Sequence, residues 1–252
     1  MSRPKWHLSF DCATKTFAFS LSYVNFDAYH CSKSRIHTSI SAVKILMERA
    51  KEAINIKNIP LLKKIVNELD PILTALDQET KNFIQIKDGE MIDLFPGRDD
   101  DSIYSIERIR GVVNYVEKRI KPCILKEFPP AEKLRIVIEF QMGYNSKARA
   151  VANALITLFS KDDIIIVGPS LKNKISASSD GKYCYFAERY KSSYYANKAH
   201  AKYNFAKIEE VFGSNVPKSK KESDRGHIAD SFMQVIGYIV HGCNEDSIML
   251  CF

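Results

Sequence analysis

Residues 134–142 read LRIVIEFQM, and this stretch decides the fold class. Beyond Arg135 it is apolar as far as Glu139, with Ile136, Val137 and Ile138 in succession, the pattern of a strand covered on both faces of a sheet. Such a strand needs paired neighbours and helices above and below it. The chain supplies both. Upstream, Trp6, Leu8 and Phe10 alternate with His7, Ser9 and Asp11, and FAFSLSYVNF (17–26) follows a polar TKT turn, which predicts two neighbouring strands. Downstream, Ala148, Val151, Ala152, Leu155 and Phe159 recur at helical spacing, and DIIIVGP (163–169) predicts a further buried strand. The expected class is α/β, a mixed sheet flanked by helices.

The remaining patterns are mostly helical. Val43, Leu46, Met47, Ala50 and Ile54 form one apolar stripe, and Leu62, Ile65, Val66, Leu69, Ile72, Leu73 and Leu76 another. Asn58-Ile59-Pro60 divides them into a helical pair. FIQIKDGEMIDLF (83–95) sets Asp88-Gly89 between two apolar runs, which predicts a β-hairpin. Ile106, Ile109, Val113, Val116 and Ile120 predict a helix ending before Pro122. A polar, aromatic and basic stretch from about 172 to 205 leads into a helix ending near Gly213, and a last helix is expected from about Gly226, with Ile228, Phe232, Val235, Ile236 and Ile239 inward. We read one domain over 1–252, with an insertion at about 27–100 that carries the helical pair and the β-hairpin.

Composition narrows the function classes. The chain has 252 residues and a formal net charge of +7, which suits a polyanionic partner. Cys12, Cys31, Cys123, Cys184, Cys243 and Cys251 show no CxxC pair or zinc-ligand spacing and read as reduced thiols. MSRPKWHLSFD carries no apolar signal region, and no run is long enough to cross a bilayer. The expectation is an intracellular protein without a membrane partner, its compartment (cytoplasm, nucleus or mitochondrion) left open.

Three acids occupy suggestive places: Asp11 at the end of the first strand, Glu139 inside the apolar strand, and Asp230 on the last helix. An ionised carboxylate in apolar surroundings is costly without compensation, and hard cations are a common compensation where acids converge. Each acid also has a plainer reading. Asp often ends a strand or caps a turn, a buried Glu can serve a structural ion pair, and a helical Asp is usually solvated. His227 and Asp224 precede Asp230 at spacings of three, along one side of the helix.

The set DCATKTFA (11–18), IEFQM (138–142) and a basic run ending in GHIADSF (226–232) resembles the RuvC-type Holliday junction resolvases. It is closest to the branch of poxviruses, other large DNA viruses and fungal mitochondria. The motifs span roughly 1–26 and 102–240. The resemblance implies an RNase H-like fold, a homodimer acting on four-way DNA junctions in recombination and repair, and two Mg²⁺ or Mn²⁺ ions per active site. It also implies the metal-binding and catalytic positions, matched here by Asp11, Glu139, His227 and Asp230. The position of His227 is often Asp in the family and sometimes His. Asp224 is open between a water-mediated contribution and an N-cap. Ala13 stands where the family often has Gly, and the 27–100 segment exceeds the family's minimal pattern.

The chemistry explains such a set. Phosphodiester hydrolysis needs an activated water, in-line attack and neutralisation of the leaving oxygen, which two cations about 4 Å apart supply. The substrate needs a polyanion track. Lys172, Lys174, Arg189 and Lys191, with Lys182, Lys198 and Lys202, are interleaved with Tyr183, Tyr185, Phe186, Tyr190, Tyr194, Tyr195 and Tyr203, the mixture that phosphate contact and base stacking require. Lys218, Lys220 and Lys221 precede the acidic helix and are candidates for gripping phosphates, and Gln141 for meeting the DNA backbone. The plainer reading is a solvated loop and helix. Three rivals stand beside the resolvase: a nuclease of flaps or other branched nucleic acid, a non-catalytic nucleic-acid-binding protein, and an actin-like or sugar-kinase ATPase. The last needs glycines near the first-strand acid, and residues 11–16, DCATKT, have none.

Overall fold

In the computed structural model LRIVIE forms an interior strand of a five-stranded mixed sheet, one in from the edge. The structure describes residues 5–12, 16–80, 83–127, 133–140, 145–169, 171, 181–212 and 222–239. The strands are β1 (Trp6–Asp11), β2 (Thr16–Val24), β3 (Ile84–Asp93), β4 (Leu134–Glu139) and β5 (Asp163–Val167), in the order β3-β2-β1-β4-β5. β1 pairs antiparallel with β2 and parallel with β4, β2 is antiparallel to β3, and β4 runs parallel to β5.

The alternation read in β1, and the continuous apolar run of β4, face two buried layers. Trp6, Leu8, Phe10, Leu134, Ile136 and Ile138 belong to one core, shared with Val112, Val116, Val151 and Leu155. Val137 faces the other core, with Val24, Phe205, Phe232 and Ile236. The first core is covered by α3 (Ser105–Tyr115), α4 (Lys121–Glu127) and α5 (Ser146–Leu158), the second by α8 (Glu222–Gly237) and α7 (Ser193–Phe212), which follows α6 (Gly181–Arg189).

Between β2 and β3 run α1 (Phe26–Asn55) and α2 (Ile59–Thr80), divided where Asn58-Ile59-Pro60 predicts. Three helices start on asparagine: Oδ1 of Asn25, Asn58 and Asn145 accepts from the backbone N–H of Ala28, Leu61 and Ala148 at 3.0, 3.0 and 3.2 Å. Lys57, at φ 53°, makes the turn between α1 and α2. The pair has its own small core of Leu46, Ala53 and Ile65. Among the described residues no helix is long and apolar enough to cross a membrane.

Several local expectations are corrected. The β-hairpin at Asp88-Gly89 does not form: 84–93 is one strand along β2, an edge of the main sheet. Its break is a bulge, since Leu21 pairs with Asp88 and Ser22 with Ile86, leaving Lys87 without a partner across the ladder. The Asp88 carboxylate accepts from the Gly89 N–H at 2.8 Å inside the strand. Asp-Gly between apolar runs therefore marks the irregularity, not a reversal. The first helix starts at Phe26, ahead of the stripe that begins at Val43, because Phe26, Tyr29, Ile36 and Ile40 pack on the sheet core.

The helix of Ile106–Ile120 does not stop before Pro122. A π turn over Val116–Ile120 widens the backbone and the chain continues as α4, so the proline's missing N–H is absorbed where the regular ladder is already interrupted. β5 is an edge strand and only half covered, with Ile166 55% exposed, whereas a buried strand was expected. The last helix already runs from Glu222, ahead of Gly226, so Asp224 lies within it.

Candidate active site

Parallel pairing of β1 with β4 brings the first two acids together. Phe10 is paired with Ile138, which makes Asp11 and Glu139, the last residues of their strands, next in register. Adjacent strands lie about 4.8 Å apart. By the alternation of each strand both side chains emerge on the face that α8 covers, the face of Ser9 and Val137. Both acids are half-buried. The field of the pair is felt at Cys12, whose thiol is pushed well above its ordinary pKa by burial first, then by the charges of Asp11 and Glu139.

α8 packs against β1, β2, β3 and β4 and carries a stripe of His227, Asp230 and Gln234 toward the sheet. His227 Nδ1 lies 2.7 Å from Asp11 Oδ2. One turn on, Asp230 is only 5% exposed, and Gln234 Nε2 donates to Glu139 Oε2 at 2.7 Å. Spacings of three and four place 227, 230 and 234 along one line of the helix. The α7 side of this helix is also close: the Lys202 side chain lies against Gly226, where a Cβ would meet its Cε at 2.8 Å. Arg225 pairs with Glu209 of α7 and lies over the Phe205 ring.

The structure therefore brings Asp11, Glu139 and His227 to one end of the sheet, with Asp230 buried on the same stripe of α8. The carboxylate oxygens suit a hard divalent cation such as Mg²⁺ or Mn²⁺, and the imidazole is a softer ligand that Mg²⁺ takes less readily. The side chains are arranged as hydrogen-bonded pairs. Among the described residues no three His, Cys, Asp or Glu side chains stand together closely enough to hold an ion. With Nδ1 engaged by Asp11, ligation by His227 would use Nε2.

Two residues at this site were missed in the sequence: Gln234, 1% exposed, and Ser9, wholly buried. A signal for Gln234 existed, since it interrupts the apolar run Phe232, Met233, Val235, Ile236 one turn after Asp230. Ser9 has no comparable signal, because serine alternates with apolar residues on many strands.

Of the expected DNA-contacting residues, Arg189 ends α6 and Lys191 lies in the α6–α7 connection, both exposed. Arg189 donates to the Tyr185 hydroxyl at 2.6 Å, and Lys198 sits 5.3 Å from the Tyr194 ring centroid. Tyr185, Tyr190, Tyr194 and Tyr195 are 38–59% exposed around this turn. Phe186 instead packs against His200 and Tyr203. Gln141, Lys172, Lys174, Lys218, Lys220 and Lys221 lie outside the described residues. A groove of about 440 Å³ lined by Ile124, Leu134, Leu158 and Phe159 lies at the start of β4, the end opposite Glu139, and touches none of these acids.

No protein-family model, no curated protein and no solved structure matches this chain.

Proposed function

We propose that this chain is a metal-dependent DNA endonuclease of the RNase H-like type, a Holliday junction resolvase that cuts four-way junctions as a homodimer. The observation that carries the proposal is the meeting of Asp11 with His227 beside Glu139, groups from β1, α8 and β4. A mixed sheet with acids ending two adjacent parallel strands, and an acidic helix laid over them, supports the RNase H-like reading. The net charge of +7 and the exposed Tyr185, Tyr190, Tyr194 and Tyr195 beside Arg189 and Lys191 support a nucleic-acid partner.

Asp11, Glu139, His227 and Asp230 would hold Mg²⁺ or Mn²⁺, two per site, which when bound supply an activated water and neutralise the leaving oxygen. The protein's own part is rigidity. Two carboxylates on paired strands and a helix packed over four strands keep their spacing, and misplacement of about 1 Å is costly in such a reaction. His227 holds one Asp11 oxygen at its Nδ1 and so orients that carboxylate. Packing of α8 over the sheet keeps Asp230 from bulk water. Arg189, Lys191 and Lys198 offer phosphate contacts, and the tyrosines offer stacking surfaces for unpaired bases.

One observation favours a second reading, a nucleic-acid-binding protein without catalysis: Asp11 and Glu139 are both engaged in hydrogen bonds. Incubating the purified protein and Mg²⁺ with labelled four-way, flap and duplex DNA separates the possibilities. Paired nicks in the four-way substrate are expected. Preferential cutting of flaps would move the substrate within the nuclease class, and binding without nicking in Mg²⁺ or Mn²⁺ would replace the enzyme by the second reading.

A further inference from the structure

Gln234 stands between the two strands that carry the acids. It is 1% exposed. Its Oε1 accepts from the Ser9 hydroxyl at 3.1 Å, and its Nε2 donates to Glu139 Oε2 at 2.7 Å. Ser9 is wholly buried on β1, two residues before Asp11, and Glu139 ends β4. The orientation of the amide is decided by this pairing. Reversed, Gln234 would direct a carbonyl oxygen at an ionised carboxylate and lose a charge-assisted hydrogen bond from a buried side chain.

We propose that Gln234 is a positioning residue for Glu139: anchored by Ser9, its amide N–H holds one carboxylate oxygen and so limits rotation of the carboxylate toward a bound cation. The inference rests on the nuclease reading above. Gln234 touches neither substrate nor ion in this role. It acts as an outer partner of a ligand does, restricting rotation of the carboxylate so that less is lost when an ion binds. The anchor makes the chain of contacts continuous from β1 through α8 to β4. A shift of α8 would therefore be felt at Glu139 through Gln234 and at Asp11 through His227.

The test uses the full chain, wild type and two variants. Gln234→Leu keeps the side chain's bulk and removes the donor, and Ser9→Ala leaves Gln234 in place but unanchored. Three quantities are read: Mn²⁺ affinity of the DNA-free protein by titration calorimetry, the Mg²⁺ concentration for half-maximal cutting of a four-way junction, and junction affinity without divalent ions. Gln234→Leu is expected to weaken Mn²⁺ binding by about 10- to 100-fold and to raise the Mg²⁺ requirement by a similar factor. Cutting at saturating Mg²⁺ should recover, and ion-free junction affinity should stay unchanged. Ser9→Ala should shift both ion readings in the same direction by less, and it decides the matter alone if Gln234→Leu does not fold. Wild-type ion affinity and Mg²⁺ requirement in a folded variant would overturn the positioning role while leaving the nuclease intact. If the wild type neither binds Mn²⁺ nor cuts DNA, the nuclease reading fails and this inference falls with it.

Discussion

His227 Nδ1 and Asp11 Oδ2 lie 2.7 Å apart although 216 residues separate them in the chain. The contact closes α8 over the end of β1 and gives each group a partner. His227→Asp would instead set two carboxylates against each other. The expected result is a lower melting temperature without ions, and a larger rise than wild type when MnCl₂ is added, because an ion that binds only the folded state stabilises it by mass action. Melting curves with and without MnCl₂ check this. Equal rises in the two proteins would mean that position 227 does not face a cation.

Glu139 is the strictest test of catalysis. Glu139→Gln keeps shape and the capacity to hydrogen bond but removes the charge from the end of β4. Junction cutting should fall by at least about 100-fold, equivalent to roughly 2.7 kcal/mol of barrier, while junction binding is retained or improved. Gel-shift and cleavage assays on one preparation measure both. Cutting at the wild-type rate would remove Glu139 from the mechanism.

The α/β class and the outer members of the site were legible because burial writes itself into local pattern. Continuous apolar character in 136–138 announced a strand covered on both faces, and a lone Glu139 at its end announced a group needing a partner. What was not legible depended on pairing between distant segments. Asp88-Gly89 carries a turn's local chemistry, yet the ladder with β2 holds 84–93 extended and absorbs the conflict as a bulge at Lys87. Pro122 carries a stop signal, yet the sheet-facing stripe of Val116, Ile120 and Ile124 continues across it. Ser9 became a site residue only when α8 set Gln234 above it.

Beneath α8, His7 is wholly buried, and its imidazole pKa is lowered from 6.5 to about 3 by burial first and then by the Arg135 charge, against smaller raising effects of the Lys5 carbonyl and Asp163. Unfolded, the same group binds a proton near pH 6.5. Its contribution to stability is therefore fully present above that value and is lost as pH falls toward 3, by up to about 1.4 kcal/mol per pH unit. His7→Asn removes the titration. The melting temperatures of wild type and variant should converge between pH 6.5 and 4, and a constant gap over that range would show that His7 does not titrate in this way.

The basic stretches should act through phosphates and without regard to base sequence. Each phosphate contact removed lowers the slope of log affinity against log salt by about 1. Replacing Arg189, Lys191 and Lys198 by Ala is expected to weaken binding to four-way, flap and duplex DNA alike and to flatten that slope, and Lys218, Lys220 and Lys221 likewise as a second set. Fluorescence anisotropy over a range of NaCl concentrations measures it. An unchanged slope for either set would assign those side chains to solvent.

A four-way junction is close to two-fold symmetric and requires two matched cuts, which two sites related by a C2 axis supply directly. On the helices that cover one face of the sheet, Val112, Val116, Val151 and Leu155 are spent on the core. What remains outward near them is Tyr104 at 75% and Ile106 at 54% exposure, with Leu125 at 81% on α4. An isologous contact through this outer side would cover those residues without disturbing the core beneath. Light scattering at micromolar concentration should therefore give twice the 28.7 kDa chain mass. Ile106→Asp, on an exposed helical position, should leave the fold intact, reduce the mass to one chain, and uncouple the two cuts so that singly nicked junctions accumulate. A single 28.7 kDa species for the wild type, with and without junction DNA, defeats the dimer. Paired cutting would then require one active site to act twice on the same junction.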